Sequence, residues 1–181
     1  RFAPTDEVGG FEMTGDGIAE VADPSILFRS GSSTPVSGTC VAIAMEGRRA
    51  LPVEVQALIV ASNAPQPRRV VNGVDSSRVA MLLAVLERRC GMPLSGFDVY
   101  VSTVGGIRLT EPAADLAIAL AVASARREKA LDAHLAAIGE ISLAGEIRAV
   151  SGASQRAAEG ARLGYTTVID ASALHLREAV R

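Results

Sequence analysis

Hydrophobic residues along this chain change their spacing several times, and each spacing predicts a different element. From residue 39 to 45 apolar and polar positions alternate, as they do again from 51 to 60, so both segments are predicted strands. The polar turn at 46–49 joins these two strands into a hairpin. A shorter strand is predicted at 18–21, directly after a polar, glycine-containing lead at 1–17 that shows no sustained period.

Two helices are predicted in the middle of the chain. Between Asp75, a good N-cap, and Gly91, a good stop, apolar residues recur three and four apart, which indicates an amphipathic helix. The second helix begins at Pro112, where the missing N–H is harmless, and runs to about Arg127. Its apolar residues occupy nearly every face, so we expect it to be the central buried helix of the domain.

The remaining elements are short strands and helices in alternation. We expect strands at 97–104, 137–141, 147–150 and 166–170, a helix at 154–163, and a terminal helix capped by Ser172. This mixed order predicts an α+β fold, an α/β two-layer sandwich, organised as a linker or arm at 1–17 and one domain at 18–181.

Composition argues against several classes of protein. Because 49% of the 181 residues are hydrophobic and only 3% are aromatic, the core is expected to consist of aliphatic side chains between helices and a sheet. A net charge of -2 argues against coating nucleic acid through bulk charge. Cys40 and Cys90 lie far apart without clustered histidines, so we expect no metal site, and two free thiols fit the cytoplasm. No apolar run approaches the ~20 residues of a membrane span.

Two segments have the sequence pattern of a peptidase active site, but the catalytic residues are missing. They read GGIRLTEPAADLAIALAVA from 105 to 123 and GEISLAGEIRAVSGASQRAAEGARLGY from 139 to 165. Together they resemble the proteolytic domain of Lon-type proteases, in which a serine at a helix N-terminus works with a lysine. By that resemblance Ala113 stands at the serine position and Arg156 at the lysine position. Alanine cannot attack a carbonyl, and arginine keeps its proton and cannot act as a general base.

The stretch EPAADLA in particular resembles the C-terminal Lon-like domain of the RadA family of bacterial recombination proteins, also called Sms. The resemblance extends over nearly the whole chain, through blocks such as LPVEVQALI, NGVDSSRVAMLLAVLERR and LGYTTVID. It implies the Lon proteolytic fold, also described as ribosomal protein S5 domain 2-like, without peptidase activity. Two positions depart from the family pattern: Ala3 replaces the last glycine of a KNRFG motif, and Ser151 replaces a usual glycine.

The resemblance also implies a cellular role and partners. In that family the domain follows a zinc-finger segment and a RecA-like ATPase in a hexameric ring that drives branch migration on DNA during homologous recombination and repair. The implied partners are further copies of the chain, single-stranded or duplex recombination intermediates, and a RecA-type recombinase, with no membrane. ATP, magnesium and zinc are expected in other parts of such a protein, and this chain, which has no G-x-x-x-x-G-K-[ST] motif, is expected to hold no cofactor.

Arginines at predicted turns and short strands are the candidates for DNA contact, because turn arginines reach phosphates without reading bases. We expect Arg48 and Arg49 at the hairpin turn and Arg148 on the strand after LAGE to be first choices, with Arg68 and Arg69 second. Ordinary solubility charge is the alternative for each of them.

A structural use is expected for the degenerate site. Arg156 is predicted to form an ion pair with Asp115 or Glu111, which lie one turn apart at a helix N-terminus, where carboxylates are favoured. Separate solvated charges are the alternative. Two other functions stay open, namely a pure oligomerisation module without DNA binding and a cryptic serine peptidase.

Overall fold

The computed structural model describes residues 10–14, 17–21, 35–173 and 175–180. The strands within them are β1 (Gly10–Thr14), β2 (Gly17–Val21), β3 (Thr39–Glu46), β4 (Arg49–Ala61), β5 (Arg69–Asn72), β6 (Phe97–Thr103), β7 (Leu135–Ala137), β8 (Glu140–Ile141), β9 (Ile147–Arg148) and β10 (Thr167–Ile169). The α-helices are α1 (Ser76–Cys90), α2 (Asp115–Arg127), α3 (Ala153–Arg162) and α4 (Leu176–Ala179). Single 3₁₀ turns lie at Val104–Gly106, Pro112–Ala114 and Ala171–Ala173.

A mixed six-stranded sheet in the order β10-β7-β3-β4-β6-β5 forms the centre of the fold. The predicted hairpin is present as β3 and β4, which pair antiparallel from Thr39 opposite Gln56 to Glu46 opposite Arg49. β6 continues the sheet antiparallel to β4, whereas β5 pairs with β6 and β7 pairs with β3 and β10 in parallel. Two further two-stranded sheets pair β1 with β2 and β8 with β9.

Alternation along β3 separates the two faces of this sheet. Cys40 and Ala42 belong to the main hydrophobic core, which α1 and α2 complete from one side. Val41 and Ile43 belong to a smaller core on the other side, together with Tyr165 at the end of α3. The fold is therefore the predicted α/β two-layer sandwich, in which α3 covers only part of the second face.

The two central helices are confirmed. Asp75 accepts the N–H of Ser77 at 2.9 Å to cap α1, and Gly91 ends that helix in the left-handed conformation. α2 is buried on every face from its first residue to Ser124, as its apolar composition predicted. In the described part of the chain, no helix has the length and apolar character needed to cross a membrane.

Three predicted elements differ from the structure. The expected strand at 137–141 is two strands in different sheets, because Gly139 leaves the strand and bonds to the start of α2 instead. The strand expected at 147–150 ends at Arg148. The lead at 1–17 contains β1, which pairs with the predicted strand at 18–21.

The terminal helix does not begin where Ser172 predicted. Ser172 lies in a 3₁₀ turn, and α4 begins at Leu176 with His175 as its cap. The imidazole Nδ1 of His175 accepts the N–H of Arg177 at 3.1 Å, and its Nε2 lies 3.0 Å from the carbonyl oxygen of Ala144. A ring nitrogen thus takes the role that a hydroxyl was expected to fill.

The buried thiol of Cys40 should make stability depend on pH in alkaline solution. Burial raises the pKa of Cys40 to about 12, so between about pH 9 and 12 the unfolded chain has lost this proton while the native chain keeps it. The free energy of unfolding should therefore fall, from this group, by about 1.4 kcal/mol for each rise of one pH unit. Cys40→Ala should remove that slope in urea titrations, and Cys90→Ala, at a half-buried thiol, should change it less. Equal slopes for the parent and Cys40→Ala would contradict this account.

Candidate functional site

The start of α2 is the centre of the candidate site. Ala113 lies in the Pro112–Ala114 turn, and its side chain is only 5% exposed. Its carbonyl accepts the N–H of Gly139 at 3.0 Å, and Leu116 donates its N–H to the carbonyl of Gly139 at 3.1 Å. A Cβ at Gly139 would lie 2.8 Å from a methyl of Ile147, so only glycine permits this approach. The side chain at the degenerate position is therefore a closely packed methyl group. Two backbone hydrogen bonds join its turn and the start of α2 to Gly139.

Arg156 is buried beside this turn and pairs with Glu111. Its Nη1 lies 2.6 Å from Oε1 of Glu111 and its Nη2 lies 3.0 Å from Oε2, so the contact is bidentate. Nη1 also donates to the carbonyl of Ile43 at 2.8 Å, and Nε donates to that of Ser151 at 3.1 Å. Glu111 in turn accepts the N–H of Met45 at 3.1 Å. Of the two carboxylates expected as partners, Glu111 is the one that Arg156 contacts.

Asp115 has a different partner, which the sequence analysis missed. It is 1% exposed and accepts hydrogen bonds from Nε of Arg78 at 3.0 Å, from Nη2 of the same guanidinium, and from the N–H of Ile141 at 3.1 Å. Burial raises the pKa of the Asp115 carboxyl, although Arg78 and the Ile141 N–H oppose that rise, while the bond to Asp115 raises the pKa of Arg78. No local pattern in the sequence marks Arg78 as the partner of a residue 37 positions away.

The two ion pairs join different parts of the fold at one point. Glu111 and Arg156 connect the segment before α2 to β3 and to α3. Asp115 and Arg78 connect the first turn of α2 to α1 and to β8. Every functional group near Ala113 that this geometry shows is already paired within the chain. The arrangement therefore holds the start of α2 in place. None of these four residues has a free group that could take part in charge transfer or acyl transfer.

The first-choice arginines for DNA contact lie at two separate turns. Arg48 is exposed at the β3–β4 turn, where its carbonyl accepts a hydrogen bond from the side-chain amide of Gln155, and Arg49 beside it is half-buried. Arg148 is exposed on β9 opposite Glu140. Contact of these side chains with DNA stays a prediction.

The second-choice arginines lie far from the first. Arg69 stands across β6 from Ile59, which is ten residues along β4 from Arg49, a separation of roughly 33 Å along the strand. The structure therefore does not gather the five candidate arginines into one surface. The sequence predicts a turn or a short strand around each of these arginines, but it gives no distance between them.

Arg69 and Arg126 hold the loop that precedes β6. Nη1 of Arg69 donates to the carbonyl of Phe97 at 2.5 Å, and Nη2 donates to that of Leu94 at 3.3 Å. Nε of Arg126 donates to the carbonyl of Pro93 at 2.8 Å, and its guanidinium carbon lies 4.2 Å from the centre of the Phe97 ring. Arg126 was not among the candidates, because a basic residue in the last turn of a helix is ordinarily explained by the helix dipole.

Together these observations define a two-layer α/β domain whose central helix begins at two ion pairs rather than at a nucleophile. Sequence comparison then gives its family. The chain is 50% identical over 169 residues to "DNA repair protein RadA" of Mycolicibacterium smegmatis, which covers 93% of this chain and 36% of that protein. The chain belongs to the RadA family and corresponds to the C-terminal part of its members.

Two further relatives carry the same description. The RadA protein of Halalkalibacterium halodurans is 48% identical over 93% of this chain and 37% of its own length. That of Brucella abortus is 47% identical over 91% of this chain and 35% of its own length. The chain thus spans about a third of the length of these curated relatives.

A second family also matches part of the chain. It is described as subunit ChlI of Mg-chelatase and matches residues 89–173, fewer than half of the 181. That stretch runs from the end of α1 to the Ala171–Ala173 turn and includes α2 with both segments of the degenerate site. The similarity therefore lies in the part of the fold built around the central helix.

Replacing Arg156 should destabilise the domain far more than replacing Arg162 on the same helix. Arg156→Gln would leave the carboxylate of Glu111 without its partner and the carbonyl of Ile43 without a donor, so we expect a loss of about 3 kcal/mol in urea unfolding. Arg162 also pairs with a glutamate, Glu159, but its side chain is 57% exposed. Arg162→Gln should therefore lose less than about 1 kcal/mol. Similar losses for the two variants would show that the Arg156 pair is no more than a surface contact.

Proposed function

We propose that this chain is a non-catalytic Lon-like scaffold domain of a RadA-type protein, which supports assembly of a hexameric ring and contacts DNA during ATP-dependent branch migration. The observation that carries the proposal is the buried, bidentate contact of Arg156 with Glu111 next to Ala113. The relatives described as DNA repair proteins support a role of the whole protein in homologous recombination and repair.

The chemistry of the site argues against a peptidase. A Ser–Lys mechanism needs a hydroxyl and an amine that can lose its proton, but Ala113 has neither group and Arg156 stays charged. Lys129, the only lysine of the sequence, follows the far end of α2, roughly 20 Å along the helix from Ala113. A cryptic serine peptidase would therefore need a base from elsewhere.

A scaffold role is supported by what the paired charges connect. One pair joins the segment before α2 to β3 and α3, and the other joins α2 to α1 and β8. Such contacts fix the relative positions of elements that reach both faces of the sheet. A rigid subunit of this kind suits a ring, because small errors in each subunit would otherwise accumulate around it.

Contact with DNA is proposed for Arg48, Arg49 and Arg148, with Arg68 and Arg69 as further candidates. Arg48 and Arg148 are exposed, so both can reach phosphates. Repetition of weak contacts around a ring would add up through avidity. ATP, magnesium and zinc would be bound by other parts of the whole protein, and a RecA-type recombinase would be its partner.

The alternative is an oligomerisation module without DNA binding. The separation of Arg49 from Arg69 by roughly 33 Å along β4 favours this alternative, because it leaves no single basic surface among the five candidates. Light scattering on the chain and a DNA titration address the two functions separately.

Neutralising Arg48, Arg49 and Arg148 together with Gln should weaken binding of the 181-residue chain to duplex DNA. Each lost phosphate contact should also reduce the slope of log K against log salt by about 0.9. Fluorescence anisotropy between low and moderate salt measures both effects, with Arg162→Gln as a surface control. Binding that is unchanged in the triple variant, while light scattering still shows oligomers, would favour the pure oligomerisation module.

No serine of this chain should react with a fluorophosphonate probe. The expected result is an unmodified mass after prolonged exposure, because nothing near Ala113 can activate a hydroxyl. An active serine hydrolase treated in parallel serves as the positive control. A covalent adduct on any serine, mapped by peptide mass spectrometry, would revive the peptidase alternative.

A further inference from the structure

The second face of the sheet is covered by α3 at one end and open at the other. On the open part, Leu58 of β4 lies opposite Tyr100 of β6, and Tyr100 lies opposite Val70 of β5. Leu58 is 60% exposed and Val70 is 41% exposed, with the half-buried Tyr100 between them. These three side chains line a shallow groove of about 390 Å³. A half-buried aromatic ring between two exposed aliphatic side chains forms the floor of this groove.

Polar side chains border one side of that apolar row. Gln56, Ser102 and Asn72 lie in register across the same three strands and line the same groove. They present amide and hydroxyl groups next to the apolar floor. We call this surface the open sheet face; it consists of Leu58, Tyr100, Val70, Gln56, Ser102 and Asn72.

The other border of the open sheet face carries charge. Arg68 precedes β5, and alternation with Val70 places it on the same face. Asp98 of β6 lies beside it, and its Oδ1 accepts the backbone N–H of Arg68 at 2.7 Å.

Arg68 is the cationic side chain at this end of the groove, and Asp98 lies beside it. Arg68 is in no ion pair among residues 35–173 and 175–180, whereas Arg78 and Arg156 are each paired with a carboxylate. Alternation places Arg69 on the opposite face of the sheet, where α2 with Arg126 also packs. The groove therefore has an aromatic and aliphatic floor, a polar side and one arginine at its end.

We propose that the open sheet face binds single-stranded nucleic acid, with a base stacked on Tyr100 and a phosphate near Arg68. The proposal rests on the DNA role proposed above and names the form of nucleic acid and the surface. A single strand presents unstacked bases next to phosphates, which match the apolar floor and the guanidinium of Arg68. A duplex keeps its bases paired and stacked, so it would offer this groove phosphates alone.

The test is binding of a fluorescein-labelled 20-nucleotide oligo(dT) to the 181-residue chain, measured by anisotropy. Tyr100→Ala should weaken binding roughly tenfold, because one stacked base contributes that much. Tyr100→Phe keeps the ring and should stay within about twofold of the parent. Arg68→Gln should lower the salt slope by about 0.7.

A matched pair of leucines controls for the loss of an exposed apolar side chain. Leu58→Ala, in the groove, should weaken oligo(dT) binding, whereas Leu143→Ala, 64% exposed elsewhere, should leave it unchanged. Circular dichroism melting of each variant shows that the fold is kept. If Tyr100→Ala does not fold, Leu58→Ala still tests the apolar floor and Arg68→Gln still tests the charge.

The outcomes separate this proposal from the preceding one. If Tyr100→Ala binds oligo(dT) as tightly as the parent, while neutralising Arg48, Arg49 and Arg148 abolishes duplex binding, the open sheet face is not a DNA site and the proposed function stands. If oligo(dT) binding depends on Tyr100 and duplex binding is absent, the open sheet face is supported and the duplex contact fails. Dissociation of an oligomer by Leu58→Ala, without any change in oligo(dT) affinity, would assign the face to a second copy of the chain and overturn the proposal.

Discussion

The burial of charge at the start of α2 is the constraint on which the rest of the structure depends. A carboxylate as deeply buried as Asp115 is stable only with matched donors, and Arg78 with the Ile141 N–H supplies them. That requirement sets α1 beside α2 and brings β8 to the helix start. Arg156 meets the same requirement one turn earlier, where Glu111 and the carbonyl of Ile43 surround it. Two arginines thus connect α1, α2 and α3 with the sheet around one short turn.

These contacts give a structural role to the residues that stand at the nucleophile and base positions. A Ser–Lys pair needs a hydroxyl within reach of an amine that can lose its proton, whereas here the corresponding positions are a packed methyl group and a guanidinium with four described contacts. The substitution of arginine for lysine supplies two more nitrogen atoms on one rigid plane, so a single side chain reaches two carbonyls and a carboxylate. The side chains at these positions connect neighbouring elements of the fold. This chain corresponds to the C-terminal part of the longer relatives described as RadA proteins.

Elements that depend on local spacing could be predicted from the sequence, and those that depend on distant partners could not. The hairpin, α1 and α2 follow from alternation, from an N-cap at Asp75 and from the apolar run after Pro112. The ion pair of Arg156 was predicted with either Glu111 or Asp115 as its partner, because both carboxylates lie at one helix start. Arg78 was not, since its partner lies on another helix and nothing in its own neighbourhood differs from a solvated arginine. His175 as a cap escaped for a similar reason, because its role depends on the Ala144 carbonyl that orients the ring.

Alanine alternates with larger aliphatic residues along α2, at positions 117, 119, 121 and 123, and all four are buried. An alanine side chain has no rotamers, so these positions lose no side-chain entropy when the helix packs against the sheet. Their small size also leaves no room beside the helix, so a larger side chain at any of these four positions would force the surrounding core to shift.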